Sequence, residues 1–103
     1  MSKRLRWATV ATTLLTSVLA GRLAAAIGRP ADAERLLKAA AVPEAPGTAP
    51  AAELALAELL LGQRRPTEAV AQLEHLILAY PASALVPQAR RRLDEARGAV
   101  PQT

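Results

Sequence analysis

With 103 residues the chain suits one domain and lies near the lower limit for a self-sufficient core. Alanine and leucine supply nearly all of its apolar half; phenylalanine is absent and tryptophan and tyrosine occur once each, so strand formers are few and the expected fold is all-α. The lack of cysteine excludes disulfides, thiol catalysis and lipid attachment through cysteine, and the net charge of +4 comes largely from Lys3, Arg4 and Arg6, without which ten basic residues face nine acidic ones.

The first predicted element is an N-terminal helix within residues 1–27. Trp7 to Gly21 is uncharged and apolar, diluted by threonine and serine. As a helix it reaches about 22 Å, short of a hydrocarbon core of roughly 30 Å. Extension through Arg22 to Ile27 supplies the missing length, with Trp7 at one interface and Arg22 able to snorkel to water at the other. Small residues at Val18-Leu19-Ala20 and Ala24-Ala25-Ala26 also fit a cleaved secretory signal, and a soluble first helix is the third reading.

An internal repeat follows. "GRPADAERLL" at Gly28–Leu37 returns 36 residues later as "RRPTEAVAQL" at Arg64–Leu73. The shared string is Arg-Pro-x-acid-Ala-x-x-x-Leu. Proline fits a helix's first turn, where its missing N–H is not needed, and the acid suits the positive end of the helix dipole. The alanine lets a neighbouring helix approach, and the leucine one turn on shares the buried face.

These two copies resemble the tetratricopeptide repeat (TPR), a helix–turn–helix unit of about 34 residues. In the second copy Leu56-Ala57 matches the small pair of the first helix and Leu60 its larger residue. Arg64–Glu68 is the turn, Ala69 the second helix's alanine, Leu73 and Leu76 its core, and Pro81 the closing proline. Arg64 stands where glycine is usual and Glu53 where an aromatic residue is common. Stepping back by 36 residues places Ala20-Gly21 in the small pair and Gly28 at the turn glycine. Gly21, Ala33, Ala57 and Ala69 are the implied close-packing residues, and the first copy closes loosely in Val42–Pro50. Cleavage after Ala20 would remove most of a helix this register needs, which favours a retained anchor merging into the repeat. The expected organisation is an anchor over 1–27, about two TPR-like units and a capping helix over 28–98, and a tail over 99–103.

The capping helix follows Tyr80. Leu85, Val86, Ala89, Leu93 and Ala96 recur at helical spacing, and Ser83 is the expected N-cap. The "YPASALVPQA" stretch is similar to repeat ends in short bacterial envelope TPR proteins.

No catalytic, cofactor-binding or metal-binding residue emerges. His75 is the only histidine and, without cysteine, falls short of a zinc ligand set; it is expected at the surface of the fourth helix. Glu53 with Glu58, and Asp94 with Glu95, read as helix-surface charges. Arg90–Arg92 read as a solvated face, and Arg64-Arg65 as charges favouring a helix C-terminus. Phosphate-cradling loops and hydrolase motifs are absent.

The resemblance implies a protein-interaction module whose first helices form a groove, lined in the second copy by Leu54, Glu58 and Leu61. The expected role is an accessory or assembly subunit of a membrane or envelope complex, bound to protein partners and, through its N-terminal helix, to the membrane; no nucleic acid is expected. The basic start places the N-terminus in the cytoplasm and the repeats in the periplasm of a bacterial inner membrane. A soluble periplasmic adaptor is the alternative, and an RNA- or headgroup-binding protein using Arg90–Arg92 the third possibility.

Overall fold

The computed structural model describes residues 18–42 and 47–101. The expectations that concern Lys3, Arg4, Arg6, Trp7 and the rest of the uncharged run to Ser17 lie outside these residues. So do those for Pro43–Pro46 and for Gln102 and Thr103 in the tail.

Among the described residues the chain is all-α, with five helices and no strand. They are α1 (residues 18–26), α2 (Pro30–Ala40), α3 (Ala49–Gly62), α4 (Pro66–Ala79) and α5 (Val86–Ala99). None of these is long and apolar enough to cross a membrane. Each helix from α2 onward packs on the next, and α3 also touches α5.

The turns closing α1 and α3 are the same turn, 36 residues apart. In the first, the Gly28 N–H donates to the Ala25 carbonyl at 3.2 Å and the Arg29 N–H reaches back to Ala24 at 2.8 Å. In the second, Arg64 donates to Leu61 at 3.1 Å and Arg65 to Leu60 at 2.9 Å. This pattern satisfies the last carbonyls of a helix by turning one residue left-handed. That residue is Gly28 at φ 79° and Arg64 at φ 60°. The departure from glycine at Arg64 therefore leaves the turn unchanged and loads it with the strain of a side chain in left-handed backbone. Pro30 and Pro66 then open α2 and α4, each preceded by an arginine N-cap that pairs with the acid three residues on: Arg29 with Asp32 at 3.3 Å, and Arg65 with Glu68 through Nε at 2.9 Å.

Small residues set the separation of the helices. A Cβ on Gly21 would lie 2.8 Å from the Leu37 side chain, so α1 and α2 meet at a distance that only glycine permits without a shift. Ala33, Ala57 and Ala69 are fully buried. Val18 joins the same core cluster as Leu37 and Ala40, so α1 is already packed into the domain four residues before Arg22. The helix α3 lies at the centre: nine of its fourteen residues are buried, from Ala49 and Pro50 through Leu54 and Ala57 to Leu60, leaving it almost no polar face.

Two details at α5 differ from expectation. The helix begins at Val86 and Ser83 does not cap it; the Ser83 hydroxyl accepts from the Leu85 N–H at 3.2 Å, a local turn that carries the chain out of the Tyr80-Pro81 corner. At the other end the helix continues through Ala99, one residue into the expected tail.

The turn equivalence is open to direct measurement. Arg64→Gly should raise stability by about 1 kcal/mol, and Gly28→Ala should lower it by a similar amount, because no atom lies within 4 Å of the added Cβ and only backbone strain acts. Urea midpoints report both; shifts of the same sign would contradict the shared turn. Ala57→Leu and Ala69→Leu should each cost about 1–3 kcal/mol by overpacking, while Ala99→Leu, on an exposed position, should cost almost nothing.

Candidate protein-interaction groove

A cavity of about 670 Å³ opens between α1, α3 and the start of α5. Its α3 wall is Ala55, Glu58, Leu59 and Gly62, at i, i+3, i+4 and i+7 and hence on one helix face. Arg22 and Ala25 of α1 form the facing wall, and Leu85 and Gln88 close the far end. Ala55 and Gly62 keep the floor low, and Glu58 is its one carboxylate. Glu58 Oε2 lies 3.5 Å from an Arg92 nitrogen, and Arg92 also reaches Glu95 at 3.1 Å, so the charge on the floor is shared with α5. Both Glu58 and Arg92 keep about a third of their surface, which leaves them open to a partner and screened by water.

Of the residues expected to line a groove, Leu54 and Glu58 border this cavity and Leu61 does not. Leu54 forms the floor but is only 1% exposed, so it belongs to the core more than to the surface. Leu61 borders a second cavity of about 610 Å³ with Arg64, Arg65, Ala99 and Pro101, where the C-terminal ends of α3 and α5 come together. The accessible face is thus turned from the one read from the sequence, with Leu59 and Gly62 in the place of Leu61.

Arg65 has a structural task. Its guanidinium reaches Gln63 at 2.9 Å, Glu34 of α2 at 3.1 Å and the carboxylate of Glu68. Lys38 holds the other Glu34 oxygen at 2.9 Å. Hydrogen bonds from Lys38 first, and then Arg65, pull the Glu34 carboxyl below its ordinary range; Arg65 does the same to Glu68. This cluster ties α2 to α4. Among the triple arginines, Arg90 and Arg91 are exposed and Arg92 is the one drawn into ion pairs.

Glu53 corrects the reading of it as a surface charge. It is 2% exposed, under α3, where Oε1 pairs with Nδ1 of the half-exposed His75 on α4 and Oε2 has no hydrogen-bond partner. Burial raises its pKa above the ordinary carboxylate range, and His75, aided by Gln72, offsets only part of that rise. His75 is on the surface of the fourth helix, as expected, and also holds the buried acid. The apolar character of "APAAELALAELLLG" leaves a charged side chain little polar surface to share, but it does not separate Glu53, which is buried, from Glu58, which keeps about a third of its surface. The pair lies on the opposite side of α3 from the groove wall, beside Lys38, Glu68 and Gln72. No group of three acids or histidines that could hold a metal occurs among the described residues.

Gly21, Ala33, Ala57 and Ala69 all sit inside the packing, away from solvent, and Arg22 is exposed on α1. No protein-family model, characterised protein or solved structure matches the chain.

The Glu53 pair makes a pH prediction. Because the folded state raises this pKa, its contribution favours folding fully below the unfolded value and is lost as pH rises through the raised one. Glu53→Gln should therefore be as stable as the parent in acid and more stable at neutral pH. His75→Ala should cost about 1–3 kcal/mol at neutral pH by leaving the buried carboxylate without a partner, and much less in the Glu53→Gln background. Melting curves from pH 4 to pH 8 on the four proteins check this; an equal His75→Ala penalty with and without Glu53 would contradict it.

Proposed function

We propose that this chain is a membrane-tethered, TPR-like protein-interaction module, an accessory or assembly subunit that holds a partner segment in the groove between α1, α3 and α5. The observation that carries the reading is the pair of hairpins with one turn geometry at a 36-residue period, whose first helices stand side by side and leave an open cavity of about 670 Å³. Helical-hairpin repeats bind segments along such a surface. The lining supports a polypeptide ligand: Ala25, Leu59 and Leu85 offer apolar contact, Gln63 and Gln88 can pair with a main chain, and Arg22 and Glu58 can fix its direction. The basic start and the uncharged run from Trp7 support the tether. Glu53, whose carboxyl pKa is raised by burial above the ordinary range, lies in the α3–α4 packing and not in the groove.

A photocrosslinking amino acid at Gln88 of the full chain, produced at native level in its own cell, tests the groove. It should capture one discrete protein, and Glu58→Lys should reduce that capture about tenfold or more while leaving the helical circular dichroism unchanged. The same label at Leu78, exposed on α4, should capture nothing in common. Equal capture from both sites, or capture indifferent to Glu58→Lys, would overturn the proposal.

A further inference from the structure

Among the described residues, three of the four exposed large apolar side chains are on one short helix and the turn that ends it. Leu19 and Leu23 on α1 and Ile27 in its closing turn are 61%, 62% and 62% exposed and recur every four residues; the Ile27 N–H still donates to the Leu23 carbonyl, so the three form a continuous ridge. The opposite side of the same helix, Val18, Gly21 and Ala24, is buried. A helix that is apolar on both sides has a second face that water does not suit. Leu78, the fourth exposed side chain, stands apart on α4.

Charge indicates what covers this ridge. Residues 1–31 contain Lys3, Arg4, Arg6, Arg22 and Arg29 and not one carboxylate; the first acid is Asp32. An anionic lipid surface attracts so one-sided a charge along its whole extent and accepts the leucines beneath its headgroups. Arg22 flanks the ridge and Arg29 follows it, both exposed and able to reach phosphate.

Packing decides the orientation. Residues 7–17 give only eleven uncharged positions before α1 enters the domain at Val18, and a helix of that length reaches about 16 Å, roughly half of a hydrocarbon core. The span cannot be completed by sinking α1 end-on, because α2 lies against it at the Gly21–Leu37 contact and carries the Lys38–Glu34 and Arg35–Asp32 ion pairs at the same level. Laid flat, α1 buries its ridge while α2 and its charges stay in water.

We propose that α1 is an interfacial helix whose Leu19–Leu23–Ile27 ridge lies in the surface of a bilayer rich in anionic phospholipid, with Arg22 and Arg29 at the phosphates. The proposal rests on reading the N-terminal segment as a membrane tether and adds that the folded domain itself docks on lipid. It replaces Arg22 as the far end of a span with Arg22 as a headgroup contact. The groove, which shares Arg22, then opens beside the membrane surface.

The chain has no cysteine, so a single one can be introduced and labelled. The full chain bearing an environment-sensitive fluorophore at Leu23→Cys, or at Leu78→Cys as control, is mixed with vesicles of phosphatidylcholine and phosphatidylglycerol, or of phosphatidylcholine alone. With the anionic vesicles the chain should pellet, the Leu23 probe should shift to the blue and be quenched by lipid-borne quenchers, and the Leu78 probe should remain in water. Replacing both Leu19 and Leu23 with serine should weaken this association about tenfold or more. A chain that pellets with the Leu23 probe still in water keeps the tether and overturns the docked helix. A chain that stays in solution overturns both. A Leu23 probe already shielded without vesicles, increasingly so with protein concentration, assigns the ridge to a second copy and overturns the proposal.

Discussion

The distance between neighbouring helices governs everything else in this molecule. The core is built from alanine and leucine, and alanine removes little apolar surface from water. Such a core gains enough contact only if the helices come close, and they do so where Gly21 meets Leu37 and where Ala33, Ala57 and Ala69 are buried without remainder. The two left-handed turns at Gly28 and Arg64 reverse the chain with the same pair of hydrogen bonds, 36 residues apart. Sequence, turn and packing therefore express the same 36-residue period.

That closeness also shapes the surfaces. Because α3 is covered by α2 and α4 and touched by α5, its remaining accessible face is narrow, and Ala55 and Gly62 make it a trough. Small residues that serve packing on one side thus create space on the other. The same economy of large side chains makes the ridge on α1 conspicuous: a chain that buries Leu37, Leu54, Leu73 and Leu76 completely leaves Leu19, Leu23 and Ile27 in the open. In the proposed function these two surfaces divide the work, one facing a protein segment and the other the membrane.

Much of this was legible in the chain itself. The Arg-Pro-x-acid-Ala-x-x-x-Leu string located both turns and both second helices, because each of its positions answers a local physical demand that does not depend on distant contacts. The all-helical class followed from composition for the same reason. The lining of the groove was legible only in part: Leu54, Glu58 and Leu61 share a helical face in projection, yet Leu54 and Glu58 border the first cavity while Leu61 borders the second. Ser83 was misplaced because a serine before a helix can cap it or make its own turn, and here it does the second. The burial of Glu53 depends on His75, twenty-two residues away, and pairing at that range leaves no local signature.

The central claim is that the two hairpins are one packing solution used twice: Gly21 meets Leu37 in the first, and the same register, 36 residues on, pairs Ala57 with Leu73, both wholly buried in the core, in the second. Nuclear Overhauser contacts in the full chain test this most directly. The account predicts cross-peaks from the Gly21 α-protons to the Leu37 methyls and from the Ala57 methyl to the Leu73 methyls. A folded, helical protein that shows the second contact but lacks the first, with Leu37 paired elsewhere, would contradict it.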